Sequence, residues 1–134
     1  MPENNEPLLV VLDTNILVSA LWIEDSNPGR VIQLINRGAL RPCYDARILI
    51  EYEDVLAREK FDVSPSKVTT LMRLIQRRGL FVVHTPQTKQ MVDEYDQAFY
   101  EVMRFCDAIL ITGNLKHFPR DLMIVSPTQF LAAL

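Results

Sequence analysis

The sequence has few glycines, cysteines and histidines. Its four glycines, at positions 29, 38, 79 and 113, are too far apart to form a glycine-rich loop that binds phosphate. The two cysteines, Cys43 and Cys106, form no CxxC pair, and the two histidines are equally isolated. We therefore expect no structural zinc site, and we expect both thiols to be reduced and partly buried.

Long apolar runs are also missing. The longest clean runs, such as residues 8–12, are far shorter than the roughly 20 residues that a helix needs to cross a bilayer. Residues 1–6 include two acids and lack the apolar segment of a secretory signal. We therefore expect a cytoplasmic protein that does not contact a membrane.

The composition suits a globular protein. Of the 134 residues, 49% are hydrophobic and 23% are charged, which excludes a disordered chain. No internal repeat or linker divides the sequence, so we expect residues 1–134 to form one domain.

Charge is unevenly distributed along the chain. Residues 1–29 contain five acids and no Lys or Arg, whereas residues 30–80 contain ten bases and six acids. Residues 81–134 contain four bases and six acids. One interpretation is an acidic pocket beside a basic surface that attracts polyanions, and the other is a random surface distribution.

Short apolar segments alternate with helix-like segments. Strands are predicted at residues 8–12, 41–44, 80–84, 108–112 and 122–125. Helices are predicted at residues 15–22, 28–37, 46–56, 65–78, 94–105 and 127–133, three of them capped by Asn27, Asp45 and Ser64. This order predicts an α/β fold, in which helices cover both faces of a parallel sheet and ligands bind beyond the carboxyl ends of the strands.

Polar residues follow two of these strands at their carboxyl ends. Asp13 and Asn15 come directly after the first strand, and Thr112 and Asn114 come at the end of the fourth. Asp13 is either a site residue or a helix N-cap, since Asp is a favoured cap. Asn15 and Thr112 are candidates to orient the site, with helix capping and strand packing as the alternatives.

Further acids lie on the predicted helices. Glu51 and Glu53 lie at the two edges of the apolar stripe of the third helix, and Asp96 lies in the first turn of the fifth. Edge carboxylates usually face solvent, and an acid in a first turn is favoured by the helix dipole alone. Asp107 precedes the fourth strand, so we expect it roughly 20 Å from Asn114, as a structural or surface acid.

These motifs together resemble the PIN-domain ribonucleases, in particular the toxin components of toxin–antitoxin modules. The resemblance covers about residues 8–131, and its most specific feature is the succession of DTN, EY, DxxF and TGN in this order. It implies a PIN-like three-layer α/β/α sandwich around a parallel sheet of about five strands. The segments that carry it are residues 11–21, 50–56, 96–99, 106–119 and 125–131.

The resemblance also implies the site. The family's first three acids match Asp13, Glu51 and Asp96, as catalytic residues and metal ligands, and the fourth catalytic position falls on Asn114. Many members have an acid at this fourth position. Because Asn offers only a neutral oxygen, we expect one metal ion to bind and a second to bind more weakly.

Carboxylate oxygens suit Mg²⁺ or Mn²⁺, which can activate a bound water and neutralise charge on a phosphoryl group. We therefore expect a metal-dependent endoribonuclease that hydrolyses RNA phosphodiester bonds, with Glu51 or Asp96 as the general base. The resemblance further implies a cognate antitoxin protein and a homodimer. Basic residues of the fourth helix, Lys116 and His117 are either RNA contacts or solvated surface.

Two other functions remain open. Asn114 is compatible with a PIN-like module that binds RNA or protein and is catalytically weak. A phosphoacceptor signalling domain has similar sheet topology, but it needs a pair of acids after the first strand and a Lys after the last. Here Asp13 stands alone, and Ser126 and Pro127 follow the last strand, so this second alternative is disfavoured.

Overall fold

The computed structural model describes residues 6–85 and 94–134, and in the helix that begins at Glu94 it describes side chains from Gln97 onward. The strands within these residues are β1 (Leu8–Leu12), β2 (Leu40–Tyr44), β3 (Leu80–Phe81), β4 (Ile109–Ile111) and β5 (Ile124–Val125). The helices are α1 (Thr14–Trp22), α2 (Asn27–Asn36), α3 (Ala46–Leu56), α4 (Pro65–Arg78), α5 (Glu94–Cys106) and α6 (Pro127–Ala132). None of these described helices is long and apolar enough to cross a membrane.

The five strands form one parallel sheet in the order β3-β2-β1-β4-β5. Helices flank this sheet as the outer layers of an α/β/α sandwich, so the predicted fold class is confirmed. The chain builds outward from β1 to β3 and then returns to place β4 on the other side of β1. The junction of β1 and β4 is therefore the point where the strand order reverses, which is where open α/β sheets bind ligands.

The core is built around β1. Val10, Val11 and Leu12 are fully buried, as expected for the central strand of a parallel sheet that is covered on both faces. Helix α5 packs against β1, β2 and β4, while α2 and α4 pack against β2. The residue that directly follows Leu12 therefore has its backbone in the protein interior.

The two ends of α2 differ in how well the sequence predicts them. The prediction that Asn27 caps α2 is wrong by one residue: the Ser26 hydroxyl oxygen accepts the Gly29 N–H at 3.1 Å. The Asn27 amide instead donates to Thr128, 101 positions away, at 2.8 Å. Beyond the end of α2, Gly38 has a φ of 83°, the left-handed conformation in which glycine commonly follows a helix.

Three strands are shorter than predicted, and of these β4 (Ile109–Ile111) loses one residue at each end of the predicted 108–112. β3 ends at Phe81 rather than residue 84, because its partner β2 ends at Tyr44 and the chain then turns into α3. The last bond between them joins the Val82 N–H to the Tyr44 carbonyl at 2.9 Å. β5 begins at Ile124 rather than residue 122, and Leu122 is exposed.

Tyr52 attaches α3 to the end of β1. Its hydroxyl donates to the Leu12 carbonyl at 2.5 Å, and its side chain is only 1% exposed. Its ring lies 6.2 Å from the ring of Phe99 on α5, between centroids. Tyr52 is therefore a core residue, and its bond to Leu12 sets where the neighbouring Glu51 can lie.

We expect Tyr52→Phe to lower the free energy of unfolding by about 1 kcal/mol, because it leaves the buried Leu12 carbonyl without this donor. Urea denaturation followed by circular dichroism measures the change. Tyr100→Phe, at a half-buried ring on α5, is the matched control, and we expect less than about 0.5 kcal/mol there. Equal losses in the two variants would contradict the proposed attachment.

Candidate active site

Asp13 lies at the junction of β1 and β4. It follows the buried Leu12, its backbone N–H donates to the Ile111 carbonyl at 3.0 Å, and the residue is only 8% exposed. The Thr112 hydroxyl, fully buried at the end of β4, donates to Asp13 Oδ2 at 2.7 Å. The strand geometry thus places a buried carboxylate where the strand order reverses.

The surroundings of Asp13 disfavour its charge. Burial is the largest effect and raises the pKa of the carboxyl above its ordinary value. The Thr112 hydroxyl, the backbone amides of Thr14 and Asn15, and the charge of nearby His117 lower the pKa, but together they do not offset burial. A bound cation would further stabilise the ionised form of Asp13, which these groups support only in part.

The turn after β4 is held by hydrogen bonds to Thr112 and Asn15. The Thr112 hydroxyl oxygen also accepts the Asn114 N–H at 2.9 Å, and Asn15 Oδ1 accepts the Gly113 N–H at 3.3 Å. Thr112 therefore touches the carboxylate directly, whereas Asn15 holds the turn. Asn114 is exposed at the rim of the site.

Glu51 reaches the site from α3. The Thr14 hydroxyl donates to Glu51 Oε2 at 2.5 Å, and Thr14 directly follows Asp13 in the chain. Burial, and then the negative charges of Asp13 and Glu51, raise the pKa of Tyr52 well above its ordinary value, so both carboxylates lie near this phenol. Glu53, at the other edge of the helix, is exposed.

The remaining predicted acids are placed differently. Asp96 lies in the first turn of α5, but its side chain is outside the described residues. Asp107 is exposed with a φ of 54° just before β4, at the end of the strand opposite Asn114, as expected.

The donors at this edge of the sheet are of the type that hard divalent cations prefer. Asp13 and Glu51 supply carboxylate oxygens, and burial disfavours an uncompensated charge on Asp13. Among the described side chains, however, no group of three or more His, Cys, Asp or Glu residues could hold a metal ion. The described part of the predicted ligand set is therefore the pair Asp13 and Glu51.

A second polar cluster, which sequence reasoning missed, lies at the carboxyl ends of β2 and β3. It contains two acids, an arginine and a histidine, and both acids are buried. The available signal was that Asp45 follows β2 as Asp13 follows β1. Its capping role on α3 was predicted and is confirmed by its bond to the Ile48 N–H at 3.0 Å. The members of this cluster are Asp45, Arg47, His84 and Glu101.

Comparison with known proteins identifies the class that this fold and site define. The family model for the PIN domain matches residues 9–116, so the chain belongs to the PIN-domain family. Comparison with curated protein sequences gives no significant match. PIN domains are generally nucleases and usually use divalent metal ions, so membership indicates a nuclease-type function.

We expect Asp13→Asn to raise the melting temperature at pH 7. Because the folded-state pKa of Asp13 is raised, the stability it contributes is present below its ordinary pKa of 3.8 and is lost as the pH rises through the folded-state pKa. The amide oxygen can still accept the Thr112 bond without the buried charge.

Calorimetry without divalent cations, at pH 7 and at about pH 4, measures this effect. The gain should shrink at the lower pH, where the wild-type carboxyl is increasingly protonated. Glu53→Gln removes an exposed carboxylate from α3 and should change little at either pH. A lower melting temperature for Asp13→Asn at pH 7 would show that burial is not the largest influence on the charged Asp13 carboxylate.

Proposed function

We propose that this PIN domain, spanning residues 1–134, is an endoribonuclease that hydrolyses RNA phosphodiester bonds with Mg²⁺ or Mn²⁺. The observation that carries the proposal is the buried Asp13 carboxylate at the reversal of strand order, beside Thr112 and close to Glu51. Few structural roles call for a carboxylate in such a place, since its charge is disfavoured there without a cation.

Asp13, Glu51 and Asp96 would hold the metal ion, and Asn114 would add a neutral oxygen. When bound, the ion supplies Lewis acidity toward phosphoryl oxygens and an activated water. Thr112 orients the Asp13 carboxylate, while Asn15 holds the turn that carries Asn114. Glu51 or Asp96 would accept the proton of the attacking water.

Basic residues beside the site favour a polyanionic substrate. A metal ion alone would not need a large recess, and the described residues form one of about 730 Å³ along the connection from β4 to β5. Lys116 and Arg120 line it, although none of the candidate acids does. These cations follow Asn114 in the chain, so an RNA backbone that lies along them leads toward Asp13.

We expect the protein to cleave a mixed single-stranded RNA pool in Mn²⁺ and to lose this activity in EDTA. Asp13→Asn and Glu51→Gln should each lower the cleavage rate at least about 100-fold, since each removes a ligand charge. Glu53→Gln, on the same helix, should retain wild-type activity. Gel analysis of end-labelled RNA measures all four proteins.

Binding of RNA without cleavage in both Mg²⁺ and Mn²⁺, by folded protein free of any antitoxin, would contradict the nuclease proposal. It would support the catalytically weak binding module instead. Cleavage that survives both EDTA and Asp13→Asn would indicate a contaminating nuclease.

The neutral residue at position 114 allows a gain-of-function test. Asn114→Asp restores the acid that many family members carry, so we expect cleavage to saturate at a Mn²⁺ concentration several-fold lower. Asn36→Asp adds the same charge at an exposed position of α2 and should have no effect. Metal titrations of the cleavage rate compare them, and an unchanged midpoint for Asn114→Asp would contradict a ligand position at residue 114.

We further propose that the nuclease is the cytoplasmic toxin of a toxin–antitoxin pair and acts as a homodimer. This proposal is supported by the sequence resemblance alone. Its test is growth arrest on expression of the chain, relieved by co-expression of the adjacent gene product and absent for Asp13→Asn.

A further inference from the structure

The second polar cluster contains an ion pair, between the buried Glu101 and the partly exposed Arg47, that the proposed chemistry does not use. Arg47 Nη2 lies 2.8 Å from Glu101 Oε1 and 2.8 Å from Asp45 Oδ2, and Arg47 Nε lies 3.0 Å from the same Asp45 oxygen. Glu101 is only 2% exposed, so its charge would be strongly disfavoured without this partner. Arg47 itself is 43% exposed.

Helix stability does not explain Arg47. It lies in the first turn of α3, where the helix dipole disfavours a positive charge. Fold stability is also a weak reason, because apolar replacements of a buried ion pair are often neutral or stabilising. What the pair does provide is a fixed position: Arg47 Nε and Nη2 donate to Asp45 Oδ2, and this holds the guanidinium beside Glu101 Oε1 as an ion pair.

The pair joins the two helices that carry candidate metal ligands. Arg47 precedes Glu51 by four residues, so the two side chains lie one above the other on α3. On α5, the Gln97 amide donates to Glu101 Oε2 at 2.8 Å, and Gln97 directly follows Asp96. Glu101 Oε1 therefore contacts Arg47 on the helix of Glu51, and Glu101 Oε2 contacts Gln97, which follows Asp96.

We propose that the Arg47–Glu101 ion pair is a positioning device for the metal site. It sets the placement of α5 against α3, and thereby the separation of Asp96 from Glu51. This inference rests on the proposed function, in which both acids are ligands. Mg²⁺ and Mn²⁺ require near-octahedral oxygen geometry, so a small displacement of one helix weakens binding.

The test is the affinity of the full chain for Mn²⁺, followed by the electron paramagnetic resonance signal of the free ion, with the melting temperature measured alongside. We expect Arg47→Met to raise the Kd for Mn²⁺ on the order of tenfold or more, as for other residues that support metal ligands. Arg47→Lys keeps the charge but cannot contact the carboxylates of Asp45 and Glu101 in the same geometry, so its Kd for Mn²⁺ should be intermediate. The double variant Arg47→Glu/Glu101→Arg should recover part of the loss.

Arg58→Met is the matched control. Arg58 follows α3 and pairs with Asp54 at 3.0 Å, but both side chains are exposed, so this pair should not affect metal affinity. If Arg47→Met and Arg47→Lys lower the melting temperature while the Kd stays unchanged, the pair is only structural and the inference is wrong. Weaker RNA binding at unchanged Kd for Mn²⁺ would also overturn it, because Arg47 would then be an RNA contact.

The same measurement separates the two proposals. If the wild-type chain binds no Mn²⁺, the proposed metal-dependent function fails, and the inference fails with it. If the wild type binds Mn²⁺ and the Arg47 variants bind equally well, only the inference fails. Should the variants at Arg47 not fold, Glu101→Gln retains hydrogen bonding to Gln97 and must still raise the Kd for the inference to hold.

Discussion

Thr112 donates its hydroxyl to the Asp13 carboxylate across the junction of β1 and β4, where the strand order of the sheet reverses. This hydrogen bond holds a buried acid at the sheet edge between the two central strands of the described sheet that flank this reversal. The same hydroxyl oxygen accepts the Asn114 N–H, so the turn after β4 follows the position of the acid. The rest of the candidate site is arranged around this contact.

Helix α3 is attached to the same end of β1 by two contacts. The Tyr52 hydroxyl binds the Leu12 carbonyl, and the Thr14 hydroxyl binds the Glu51 carboxylate. Because these contacts involve consecutive residues of α3, they fix the rotation of the helix as well as its distance. Glu51 therefore faces the sheet edge, while Glu53 faces away from it.

The acids at this edge of the sheet are balanced in two different ways. Asp45 and Glu101 share the guanidinium of Arg47, and His84 adds a contact to Asp45 at 3.2 Å. Asp13, in contrast, accepts its side-chain hydrogen bond from a neutral hydroxyl, and burial raises its pKa. Asp45 and Glu101 therefore have Arg47 as a cationic partner, whereas a bound cation would stabilise the ionised form of the buried Asp13. This contrast distinguishes the acids that Arg47 balances from the candidate metal site around Asp13.

The sequence by itself determined the alternation of strands and helices, the parallel sheet and the place of Asp13, because a residue that follows a buried strand lies at the carboxyl edge whatever the details of packing. Helix periodicity did not distinguish Glu51 from Glu53, since both lie at edges of one apolar stripe, and only the resemblance selected Glu51. The tertiary structure supplies a physical reason, because the Thr14 hydroxyl donates to Glu51 whereas Glu53 is exposed. It also decided the ends of β3 and the pairing of Arg47 with Glu101, because both depend on how segments distant in sequence pack together.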